Sequence, residues 1–337
     1  MDALEFIVKA IRQLHEIIRD EVVTACEKQS PSDLSKVDHE SFDDTIYSID
    51  RVSEDRIVDF FERNIAPQIP VVLIAEGLGK TGKRVMPESI SETEAMFRII
   101  MDPIDGTRGL MYQKRSAWIL TGVAPNKGPD TNLTDIEFAL QTEIPLVKQH
   151  LSDMLWAYKG RGAKAARFNR ITKIRAPLTL TPSTAGTIAH GFSTIARFFP
   201  GGRDILAKVD DDIVRSLFGE IVSGKAQCFE DQYLSSGGQL YELMCGHDRF
   251  IADLRPLLEK LLAKRGISLG LCCHPYDICT ELIARELGVI VTDPFGNPLK
   301  AKLNVTEGVS WAGYANAKIE QLVSPVFKKV LEQNGLL

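Results

Sequence analysis

Phe97-Arg98-Ile99-Ile100-Met101-Asp102-Pro103-Ile104-Asp105-Gly106-Thr107 is the stretch whose reading fixes the fold. Its apolar first half reads as a buried strand, and its second half as a turn. Pro103 has a fixed φ and no N–H, which stiffens the turn. Gly106 lets the backbone bend, or approach a ligand, where a Cβ would obstruct. Two carboxylates, a carbonyl and nearby backbone N–H groups suit a hard divalent cation bridged to a phosphate.

Three other readings compete. An EF-hand loop counted from Asp102 would need an oxygen ligand at Ile104, a glycine at Thr107 and a glutamate at Gln113, so it fails. The haloacid-dehalogenase phosphatases place a nucleophilic Asp where this chain has Pro103, which cannot attack. A plain acidic strand-to-turn connection stays open on these residues alone, since Asp, Pro and Gly are common turn formers. Residues elsewhere weigh against it. Val71-Val72-Leu73-Ile74-Ala75 reads as a buried strand ending at Glu76-Gly77, which sets a carboxylate at a strand end. Far downstream, His274-Pro275-Tyr276-Asp277 opens a helix through Leu287 that Gly288 ends, and Val289–Asp293 reads as a further strand. Asp277 falls in the first turn of that helix, where it either caps the helix or serves a site.

With these residues in place, the chain resembles the inositol monophosphatase superfamily, the magnesium-dependent, lithium-sensitive phosphatases that include bisphosphate nucleotidases and fructose-1,6-bisphosphatases. That pattern has a Glu at a strand end, then Asp-Pro-(Ile/Leu)-Asp-Gly-Thr, then Trp-Asp before Gly-Gly-x-(Val/Ile)-x-Asp. Here it reads Glu76, Asp102 to Thr107, Tyr276-Asp277 and Gly288 to Asp293, and the likeness runs from about Asp50 to about Ala317. Two departures stand out: Ala75-Glu76-Gly77 lacks the second glutamate, and Tyr276 replaces Trp.

The resemblance implies a layered αβαβα fold of the α+β class: an N-terminal domain (1–182) with an antiparallel sheet and most of the ligands, and a C-terminal α/β domain (183–337) with Asp277. It implies two or three Mg2+ per site. Glu76, Asp102 and the Ile104 carbonyl would hold the first, and Asp102, Asp105 and Asp277 the second. Phosphate would rest on the N–H groups of Gly106 and Thr107, and Thr107, together with Asp50 and Glu76, would serve catalysis. Inositol-specific members use an acid just before Trp-Asp for substrate hydroxyls. Asp253 lies near that point, followed by an apparent insertion over 254–270. Arg108, Ser236 and His274 are further substrate-side candidates, each with an ordinary structural reading beside it. So are Lys114 and Arg115, which with Arg108 could clamp a second phosphate or simply form a solvated basic edge. The expected activity is hydrolysis of a small phosphorylated metabolite, inositol monophosphate leading, with a bisphosphate nucleotide or sugar phosphate as alternatives. A metal-binding relative without turnover is the competing class.

Composition permits this reading. The 337 residues can bury a sizeable core, and a net charge of -5 argues against a nucleic-acid polymer as partner. The acidic start and the lack of a long uncharged apolar run predict neither secretion signal nor membrane span. Six cysteines without ligand spacing fit a reducing cytoplasm, and a homodimer is the default assembly. Leu4, Ile7, Val8, Ile11, Leu14, Ile17 and Ile18 predict an opening amphipathic helix, with a second over about 54–63. Strands follow near 71–75, 97–101, 117–124, 136–144 and 154–158, then a hairpin turn at Lys159–Ala163. Beyond Pro182, helix and strand alternate over 186–191, 204–218, 239–245, 250–253 and 257–264. The acidic run Asp210 to Asp212 reads as a solvated face.

Overall fold

The computed structural model describes residues 2–40, 45–47, 51–78, 81–220 and 222–337. The opening helix is Ala3–Lys28, and it buries Ile7, Ile11, Leu14, Ile18 and Val22 at the three- and four-residue spacing of one face. The second long helix is Arg51–Asn64. Both helices pack on an eight-stranded sheet in the order Arg175–Leu178, Ala163–Asn169, Leu151–Tyr158, Phe138–Ile144, Ala117–Pro125, Phe97–Asp105, Val71–Ala75, Lys83–Met86. Neighbours are antiparallel except Val71–Ala75 and Phe97–Asp105, which run parallel. The strands missing from the sequence reading include the two edges. Lys83–Met86 carries two cations and Arg175–Leu178 carries Pro177, as edge strands do, and so neither shows the apolar pattern of a central strand.

A four-stranded sheet lies beyond, ordered Phe192–Ile195, Asp248–Asp253, Trp311–Tyr314, Ile290–Thr292. Helices Ser236–Met244, Pro275–Ile278 and Glu281–Glu286 fill the space between the sheets, in a buried cluster that draws on both. Helices Arg203–Phe218 and Ala317–Gln333 cover the outer face of the small sheet. The result is the expected αβαβα layering. No helix among the described residues is long and apolar enough to cross a membrane.

Several local expectations shift. The stretch 186–191, expected to begin the alternation of helix and strand, is a turn in which His190 takes φ 57°, and the first strand of the small sheet begins at Phe192. The helix expected through Leu287 breaks at Cys279 and Thr280, where the Thr280 hydroxyl donates to Gln141 Oε1 at 3.0 Å. The stretch 254–270 forms a short 3-10 turn, Arg255–Leu258, and the helix Glu259–Ala263. Lys159–Ala163 is the hairpin turn, and its Gly160 and Gly162 N–H groups each hold the Glu286 carboxylate at 2.7 Å. Of the acidic run only Asp211 is exposed. Asp210 turns toward Arg197 at 3.5 Å, and Asp212 accepts from Asn334 at 3.0 Å.

Candidate functional site

The site starts from a defect in one strand. Asp102 pairs with Leu120, and Asp105 with Trp118, so two residues on one strand face one on its neighbour. Side chains three apart on a regular strand point to opposite faces. The extra residue of this bulge restores Asp105 to the face that Asp102 occupies, toward the middle helix layer. Val71–Ala75 runs parallel alongside, with Ala75 opposite Met101, so Glu76 leaves its strand next to Asp102. Asp277 arrives from the start of Pro275–Ile278, where its Oδ2 accepts the His274 N–H at 2.6 Å. It therefore caps its helix and also joins the site: carboxylate oxygens of Asp102, Asp105 and Asp277 lie within 4.8 Å of one another.

Asp102 is buried and accepts the Ile104 N–H at 2.9 Å. Burial holds its carboxyl well above the usual range, and the charges of Asp105, Asp277 and Glu76 add to the effect. Burial likewise raises Asp105, to about 6, against the pull of hydrogen bonds from Ser235 and the backbone of Gly237 and Ser236. Those bonds are 2.8 Å from Ser235 Oγ and 2.6 Å from Gly237 N. Asp277 is raised by burial, then by Asp105 and Glu76. Ser235 also caps Ser236–Met244, accepting the Gly238 N–H at 2.8 Å. A Cβ on Gly237 would come within 2.6 Å of Leu120 Cδ2 and 3.0 Å of Asp105 Oδ2, so this contact requires glycine. Four acids thus face one cleft, and burial raises three of them, Asp102, Asp105 and Asp277.

A cleft of about 100 Å³ opens over them, lined on the near side by Glu76, Asp102, Ile104, Asp105, Gly106 and Thr107. Gly106 takes φ 95° and starts the short helix Thr107–Met111. The Thr107 hydroxyl donates to the Ile104 carbonyl at 2.8 Å. Arg108, Ser236 and His274 also line the cleft, whereas Lys114 and Arg115 do not, and Arg115 pairs with Asp231. His274 stacks on Tyr276 with ring centroids 5.4 Å apart and its Nδ1 lies 3.0 Å from the Glu307 carbonyl, so the protein fixes its ring. Cys272 lines the cleft too, its thiol pushed up to about 12 by burial. Asp50 lies outside the described residues.

Asp253 requires a correction. It is fully buried and does not reach the cleft, because Arg255 covers it with Nε 2.9 Å from Oδ1 and Nη2 2.5 Å from Oδ2. The far wall is instead Arg255, Phe198, Phe199 and Leu271. None of these carries a motif, and only the acid two residues before Arg255 could have marked the spot.

No protein-family model matches the sequence, and no curated protein matches it in sequence. The three-dimensional arrangement does match solved structures. An inositol monophosphatase–fructose 1,6-bisphosphatase agrees at a TM-score of 0.64 and 18% identity, over 94% of this chain and 98% of that one. The holo fructose-1,6-bisphosphatase of Leishmania major agrees at 0.67 and 12%, over 97% and 94%. This is the inositol monophosphatase–fructose-1,6-bisphosphatase fold. The inositol monophosphatase of Thermotoga maritima shares it at 0.60 and 18%, over 99% and 100%. At such identities the likeness lies in the order and layering of elements, and the cleft described above sits inside that shared fold.

Proposed function

We propose that the protein is a phosphatase that hydrolyses a small phosphate monoester with the aid of Mg2+. One observation carries this reading: three carboxylates meet within 4.8 Å in a buried setting that raises the pKa of each. Such an excess of negative charge, offered by oxygen donors alone, fits a hard divalent cation. In the proposed arrangement Glu76, Asp102 and the Ile104 carbonyl hold one ion, and Asp102, Asp105 and Asp277 another. Bound ions would lower the pKa of a water and neutralise charge on the leaving oxygen. The chain's own part is to orient. Ser235 and Gly237 fix Asp105, the His274 N–H fixes Asp277, and the Ile104 carbonyl fixes Thr107. Thr107, with Asp50 and Glu76, is assigned to direct the attacking water, and the backbone of Gly106 and Thr107 to receive the phosphate.

Inositol 1-phosphate and fructose 1,6-bisphosphate are the first esters to test, since they correspond to the names of proteins sharing the fold. A reducing cytoplasm is the proposed setting, supported by six free thiols of which three are buried. The test is phosphate release with and without Mg2+, with Li+ as inhibitor control. Mg2+-dependent release from the wild type, lost in a folded Asp105→Asn variant, is expected. Near wild-type activity in that variant would overturn the metal assignment.

A further inference from the structure

The wall facing the carboxylates is built around a buried ion pair with its positive end toward the cleft. Asp253 ends the strand Asp248–Asp253 and has no exposed surface. Arg255 grips it through Nε and Nη2 and donates from Nη1 to the Leu271 carbonyl at 3.1 Å. A guanidinium carries five N–H donors, and these bonds engage one on each nitrogen. One N–H on each terminal nitrogen is left over, on a residue only 8% exposed that nevertheless lines the cleft. The guanidinium carbon lies 4.9 Å from the Phe198 ring centre and 5.5 Å from that of Phe199. The Arg108 guanidinium lies 5.4 Å from the same Phe199 ring. Two cations that line the cleft therefore flank one aromatic platform.

Chemistry then limits what this wall can read. A polyol hydroxyl oxygen can accept from Arg255, but an anionic oxygen makes the stronger, charge-assisted bond, and Asp253, which could accept a hydroxyl proton, is turned inward. While the acids are unneutralised, Arg255 interacts favourably with Asp105 and Asp277. Once their charge is offset, the two remaining N–H groups of Arg255 are donors that an anionic group of a substrate can meet. Planar guanidinium groups match phosphate and carboxylate oxygens in pairs.

We propose that Arg255, assisted by Arg108, is a specificity-determining residue that selects phosphate monoesters bearing a second anionic group, phosphate or carboxylate, over neutral polyol monophosphates. The body of the substrate packs on Phe198 and Phe199. This rests on the phosphatase reading above and deepens it.

The experiment compares kcat/KM for fructose 1,6-bisphosphate, adenosine 3′,5′-bisphosphate and 3-phosphoglycerate with that for inositol 1-phosphate and glycerol 1-phosphate. It uses the full-length wild type, the paired variant Asp253→Asn with Arg255→Met, which avoids orphaning a buried charge, and Arg255→Lys, which keeps the pair and loses the fork. The expected result is at least a tenfold wild-type preference for one or more of the doubly anionic esters. That ratio should collapse toward one in both variants, mainly through KM. A merely structural Arg255 would lower turnover of all esters together and leave the ratio intact, which overturns the inference. So does a wild type that prefers the neutral esters, and in that case Mg2+-dependent release still upholds the phosphatase reading. Silence on every ester from folded protein overturns that reading and the inference with it.

Discussion

His15 and Asp102 are polar groups buried against opposite faces of the same eight-stranded sheet, and the protein treats them in opposite ways. His15 comes from the opening helix and has no exposed surface. Its Nδ1 lies 2.9 Å from the Thr142 hydroxyl and its Nε2 2.8 Å from that of Thr121. A neutral imidazole has one donor and one acceptor, and a threonine hydroxyl can serve either, so the group is closed. Burial, with Arg12 and Arg19 nearby, keeps it neutral by lowering its pKa to about 3. Asp102 has one backbone N–H and three acidic neighbours. The difference teaches where a partner from outside is required. Polar burial that balances internally is architecture, and burial that leaves an unbalanced charge is a receptor for a counter-charge.

The comparison makes opposite predictions for similar substitutions. Asp102→Asn should lower Mg2+-dependent kcat/KM by more than about 10³-fold, as loss of metal charge stabilisation worth several kcal/mol implies. In chelator, the same variant should unfold at a higher denaturant concentration than the wild type, because it removes a charge repelled by Asp105, Asp277 and Glu76. A drop in that midpoint would break the comparison. On the other face, Thr142→Val leaves Nδ1 of His15 unpaired and should destabilise by about 1–3 kcal/mol in equilibrium unfolding. A further effect concerns pH. The folded state binds fewer protons at His15 than the unfolded state, whose imidazole titrates near about 6.5. This stabilisation is complete above that value and is lost as pH falls from there toward about 3, at about 1.4 kcal/mol per pH unit. Denaturant titrations at pH 5 and 7 should show the slope, and His15→Gln should flatten it.

Of the residues that line the cleft, the acids were legible in the chain and Arg255 was not. The acids were readable because the backbone that places them is local: an apolar strand, a rigid Pro103, a bend at Gly106, a capping position for Asp277. Strands 71–75 and 97–101 were readable because buried central strands are apolar on both faces. The edge strands were not, since their charges and proline protect against pairing and leave no period to detect. The helix through Leu287 was drawn as one piece because nothing local breaks it at Thr280. At that break the Thr280 hydroxyl meets Gln141, a residue 139 positions away, a contact no local pattern shows.

The sequence by itself determined the strand-to-turn hexapeptide, the central strands and the order Glu76, Asp102, Asp105, Asp277, because periodicity and turn chemistry act over a few residues, while the αβαβα class followed from the resemblance those motifs carry. Only the tertiary structure decided that a bulge brings Asp102 and Asp105 to one face. It also set Ser235 on Asp105 across 130 positions, and put Arg255 in the cleft with Asp253 beneath it. Which way a polar side chain turns depends on the desolvation and hydrogen bonds it meets after the layers have packed, and those partners are not its neighbours in the chain.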